Sequence, residues 1–126
     1  MKHENVQVRQ FQYENEAAHR LLEFLLQENV ILKTRLAEVL RDNAFPTELM
    51  VTVEQFQEWL LQKDAVIALM RQEAAELEKT LARFLHEDGT LKVIVHNQKK
   101  LRKDLKTLGL AFSDLRSQFN SFIESL

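Results

Sequence analysis

Residues 91–126 read LKVIVHNQKKLRKDLKTLGLAFSDLRSQFNSFIESL. Taking every third and then fourth residue from Leu91 gives Leu91, Ile94, Gln98, Leu101, Leu105, Leu108, Phe112, Leu115, Phe119, Phe122 and Leu126, of which only Gln98 is polar. This is the a and d pattern of a heptad. A period of 3.5 residues sustained over about five heptads is a helical period, since the period of a strand is two.

The same pattern runs through the rest of the chain. Upstream, the a and d positions are Val8, Phe11, Asn15, Ala18, Leu22, Leu25, Asn29, Leu32, Leu36 and Val39. They resume as Val53, Phe56, Leu60, Lys63, Ile67, Met70, Ala74, Leu77, Leu81 and Phe84. The expected fold is all-α: a single helical-bundle domain over residues 1–126, of three long antiparallel amphipathic helices in a coiled-coil-like bundle. Helix 1 is expected over about residues 4–42, helix 2 over about 53–87 and helix 3 over about 91–125. Asn43 can end the first helix, and Phe45 precedes Pro46, where the α conformation is disfavoured. Thr52 with Gln55 has the spacing of a capping box and marks the start of the second helix. Gly89 suits a C′ position and Thr90 an N-cap. The apolar stretch between the first two helices is expected to close the end of the bundle; the alternative is an exposed docking loop.

Composition points the same way. The 126 residues include two glycines and one proline, too few turn formers for a β-rich chain. There is no cysteine, so no disulfide or thiolate chemistry is expected. No apolar run reaches the length of a membrane span, and a cytoplasmic location is expected. Charge is uneven. Residues 1–89 hold 10 Lys and Arg against 16 Asp and Glu, whereas residues 90–126 hold 7 against 3.

Two helices carry apolar residues beyond the seam. In helix 1 these are Ala17, Leu21, Phe24 and Ile31, with Val30 and Ala37 beside them. In helix 2 they are Leu61, Ala68, Ala75 and Ala82, with Ala65 and Leu69 nearby. A helix that is apolar on two sides is buried on two sides. Ala17, Leu21, Phe24, Ile31, Leu61, Ala68 and Ala75 are therefore the expected interface of a homo-oligomer, a dimer that completes the bundle. For the alanine row alone, helix propensity on a solvated face explains the sequence equally well. Asn15 and Asn29 at a positions are read as devices that set register, and Lys63 as a cation whose stem reaches to water.

Little chemistry is legible. Glu16-Ala17-Ala18-His19 has the Glu-x-x-His spacing of di-iron bundles but occurs once. Ser113, Ser117, Ser121 and Ser125 are spaced as one helix face, with no histidine near them in sequence. No catalytic residue, cofactor or metal ligand is assigned, and a non-enzymatic interaction, scaffold or adaptor protein is expected. A protein partner fits such surfaces. One alternative is a regulatory module that binds nucleic acid or another polyanion through Lys99, Lys100, Lys103 and Lys106, which fall at outer heptad positions; the other is a small helical-bundle enzyme or metalloprotein.

Overall fold

The computed structural model describes residues 2–86 and 91–126, with side chains placed for 6–84 and 91–126. Three helices account for nearly all of it: α1 (Lys2–Asp42), α2 (Thr47–His86) and α3 (Leu91–Ser125). No strand occurs among the described residues.

Cross-helix contacts fix the directions. His19 meets Glu78 at 2.8 Å, and Asn29 and Lys33 meet Asp64, so α2 descends as α1 rises. Glu14 meets Arg102 at 2.7 Å and Glu28 meets Arg116 at 3.9 Å, so α3 runs parallel to α1. The bundle is up-down-up, with α2 antiparallel to both neighbours. Among the three pairs, α1 and α2 are in the most extensive contact and α1 and α3 in the least.

Every buried residue among those described occupies an a or d position of the heptads. The seam, not helix propensity, therefore organises the bundle. Toward the α1–α2 connection the core is aromatic. Phe56 packs edge-on against Trp59 and Phe119, with centroids 5.4 and 5.6 Å apart, and lies 5.3 Å from Phe122. Such edge contacts set the positive ring edge against a negative face.

The core falls into two clusters. The larger runs from Ala18, Leu77 and Leu101 up to Val53, Phe56 and Phe119. The smaller holds Val8, Phe11, Leu81 and Ile94, with Phe84 and Val95 packed against it. Asn15 lies between Phe11 and Ala18 on α1, and Gln98 lies between Ile94 and Leu101 on α3. Both are fully or almost fully buried, so a polar layer divides the two clusters.

The first connection differs from the expected one. α2 starts at Thr47, so Thr52 lies inside the helix and the connection is only residues 43–46. The reason is Pro46. Its carbonyl accepts the first bonds of α2, from the N–H groups of Leu49 at 3.0 Å and Met50 at 3.2 Å. Proline at the very start of a helix lacks only an N–H that would have been unpaired there, and its fixed φ suits the first turn. The stretch read as an apolar connection is thus mostly the first turns of α2. Leu49 and Met50 are half-buried and Val51 is exposed. α1 ends at Asp42 as expected. The Asn43 side-chain amide donates to the Val39 carbonyl at 2.9 Å, which satisfies a carbonyl left free at the helix end. The expected caps at Gly89 and Thr90 lie outside the described residues.

Candidate interaction surface

On each helix, the positions that flank the buried seam decide which neighbour a surface residue adjoins. On α1, His19 and Lys33 face α2, whereas Glu14 and Glu28 face α3. The stripe of Ala17, Leu21, Phe24 and Ile31 is divided: Ala17 and Leu21 adjoin α3, whereas Phe24 lines a groove with His19, Glu23 and, from α2, Arg71. Ala17 and Leu21 line a groove of about 210 Å³ together with Leu101 and Leu105 of α3. Ala17 is half-buried there, while Leu21, Phe24 and Ile31 are 37%, 51% and 58% exposed.

The α2 row lies elsewhere. Leu61, Ala68 and Ala75 are each three residues before one of the α2 positions that reach α1, namely Asp64, Arg71 and Glu78. They therefore flank the α1–α2 seam. Leu61 is 63% exposed and Ala68 is exposed, while Ala75 is half-buried. The structure thus does not gather the α1 stripe on one flank: Ala17 and Leu21 turn to α3, whereas Phe24 turns toward α2. Val30 and Ala37, both exposed, lie on the α1 flank nearer to α2.

The four lysines are also divided. Lys100 lines a groove between α2 and α3 with Glu73 and Glu76, and its ammonium lies 4.0 Å from Asp104. Lys99, Lys103 and Lys106 are exposed and form no ion pair among the described residues. They share the outer surface of α3 on the side away from Lys100.

The α1–α3 seam has a feature that the heptad pattern alone does not single out. Glu14–Arg102 and Glu28–Arg116 both join residues 88 positions apart. Midway between them, in the same register, Leu21 stands across from Gly109. A repeating ion pair is interrupted by an apolar residue facing a missing side chain. A Cβ built on Gly109 would meet nothing within 4 Å, and its φ is not positive. Neither backbone geometry nor crowding within the chain calls for glycine here, yet glycine inside a helix costs about 1 kcal/mol relative to alanine. The signal was present in the sequence, as Glu14, Leu21, Glu28 against Arg102, Gly109, Arg116 at seven-residue spacing. It becomes readable only once α1 and α3 are known to be parallel neighbours.

The polar side chains offer structural tasks. The Asn29 amide donates to the Leu60 carbonyl at 2.8 Å and to Asp64 at 2.7 Å, and Lys33 pairs with the same carboxylate. Gln98 donates to Glu14 at 3.2 Å, beside Arg102. Lys63 is half-buried in a groove that Asp114 also lines. His19 turns to Glu78 of α2, and Glu16 is exposed. Among the described residues, no three His, Asp or Glu side chains gather where a metal ion could be held, and no helix is long and apolar enough to cross a membrane. Fold and surface define an all-helical bundle with unpartnered apolar faces. No protein-family model matches the chain, and no curated protein or solved structure does so either.

Proposed function

We propose that the chain is a non-catalytic interaction protein, a helical scaffold or adaptor that self-associates through the outer faces of α1 and α2. The observation that carries this reading is the exposure of Phe24 and Ile31 in the middle of α1, with Leu61 and Ala68 exposed on α2. Single exposed apolar residues are ordinary, but a large aromatic and a β-branched residue one heptad apart on one helix face form a row. Leaving such a row in water forgoes about 25 cal/mol for each Å² of apolar surface, and burying it between two copies recovers that stabilisation. A closed two-fold dimer is the commonest way to bury a self-complementary patch.

Light scattering on the purified chain at tens of micromolar is the test. A dimer is expected, and the double substitution Phe24→Glu with Ile31→Glu converts it to monomers or, where the monomer is marginal, to a less stable protein. A monomeric wild type at that concentration overturns the reading.

A further inference from the structure

The outward surface of α3 changes character at its middle. Over residues 92–110 it exposes Lys92, Lys99, Lys103 and Lys106, and no Asp or Glu of α3 is exposed over this stretch. Over residues 113–125 the exposed side chains are serines, Gln118, Asp114 and Glu124, with no cation among them. Lys92, Lys99 and Lys106 recur every seven residues and so stand on one line, about 10 Å apart, with Lys103 beside them. The acids nearest to the row are engaged elsewhere: Glu14 holds Arg102 at 2.7 Å, and Asp104 faces Lys100 at 4.0 Å. Lys99 stands four residues before Lys103, and Lys103 three before Lys106. Like charges at these spacings repel and destabilise the helix, whereas a merely solvated face interleaves the two signs. Val93 and Leu110, 53% and 66% exposed, flank the row at its two ends, about 25 Å apart along the axis.

We propose that this half of α3 docks on an anionic lipid bilayer, with the lysines against the headgroups and Leu110 and Val93 at the acyl boundary. Charge sign calls for an anionic partner, and a straight row of cations matches a flat charged layer along its whole length. Two features select lipid over nucleic acid. The cations free for contact are lysines, point charges without the planar fork of arginine, and no aromatic side chain is exposed on this half of α3 to stack on a base. The aliphatic side chains at the ends of the row gain from a hydrocarbon boundary and gain nothing from a phosphate backbone. The docking goes beyond the self-association proposed above and does not depend on it, because the row lies on α3 and leaves the outer faces of α1 and α2 clear.

Co-sedimentation with vesicles is the test. The chain is expected to bind vesicles of equimolar phosphatidylserine and phosphatidylcholine and to leave pure phosphatidylcholine in the supernatant. Raising the salt from about 0.01 to 1 M, which shortens the screening length from about 30 to 3 Å, releases it. Replacing Lys99, Lys103 and Lys106 together by Glu weakens binding by at least about a hundredfold, at about fivefold for each lysine. All three positions are exposed and glutamate is a good helix former, so circular dichroism of that variant matches the wild type. Leu110→Ser weakens vesicle binding by about tenfold with no change of charge. Lys79→Glu on α2 changes the net charge as much as Lys103→Glu does and leaves binding intact. Equal binding to neutral vesicles, or equal losses in Lys79→Glu and Lys103→Glu, overturns the assignment. A chain that binds double-stranded DNA at low salt and neither kind of vesicle replaces lipid by nucleic acid, and one that binds none of them leaves the row as a solvated face.

Discussion

Asn29 and Asn15 occupy equivalent a positions two heptads apart on α1, and both have 0% exposure. Their surroundings differ at the amide nitrogen, while neither side-chain oxygen has a partner in the protein. The Asn29 amide nitrogen has two acceptors on α2, a backbone carbonyl and a carboxylate that Lys33 also holds. Neither the oxygen nor the nitrogen of the Asn15 side chain has a hydrogen-bond partner in the protein. The first asparagine sits inside the larger core cluster and ties two helices in one register. The second marks the boundary where that cluster stops and the smaller one begins. A buried amide adds specificity in proportion to the partners it finds; without them it carries its desolvation cost and interrupts the packing around it.

The contrast can be tested at three levels. The largest effect belongs to the core that Asn29 serves. Phe112→Ala empties a site with 2% exposure in the larger cluster and is expected to cost about 3–5 kcal/mol in urea unfolding. Ile94→Ala in the smaller cluster should cost about 2 kcal/mol, the low end of the range of about 2–5 kcal/mol for a buried isoleucine, because fewer neighbours surround it. Equal losses at the two sites would mean that the polar layer does not partition the core.

A middle effect comes from the tied amide. Asn29→Ala removes the donor to the Leu60 carbonyl and to Asp64, and a loss of about 2 kcal/mol is expected. A loss below about 0.5 kcal/mol would show that the Lys33–Asp64 pair alone holds the α1–α2 register.

The smallest effect has the opposite sign. Asn15→Leu places an apolar side chain of similar size between Phe11 and Ala18, joins the two clusters and should stabilise the protein by about 1 kcal/mol. Hydrogen exchange in the first turns of α1 should slow in the same variant, because the end cluster no longer opens by itself. Destabilisation by Asn15→Leu would mean that the amide has a role that its surroundings within the chain do not reveal.

Much of this architecture was legible in the sequence because side-chain burial in a coiled-coil-like bundle is nearly a function of heptad position. Val8, Ile67 and Phe119 are as buried as their letters require. The exposure of Phe24, Ile31 and Leu61 was legible for the same reason. Two things were not. The start of α2 was hidden because Thr52 and Gln55 imitate a cap. Pro46 ends one helix by its effect on Phe45 and begins the next by its own geometry, and only the first effect is local enough to read with assurance. The division of the α1 stripe between its two neighbours was hidden because a heptad letter places a residue on its own helix and does not say which neighbour lies on that flank. Leu21 therefore read as an outer residue, and its position opposite Gly109 emerged only from the shared register of Glu14–Arg102 and Glu28–Arg116.

The connection of residues 43–46 is too short to bring the chain back along the bundle, so α2 alone makes the return. With α1 and α3 parallel, the first turn of α1 and the last turn of α3 sit at opposite tips of a strut whose length, at 1.5 Å per residue over α3, is about 50 Å. The heptad core between the two tips holds them at that separation. That separation is set by the number of heptads, each adding about 10 Å.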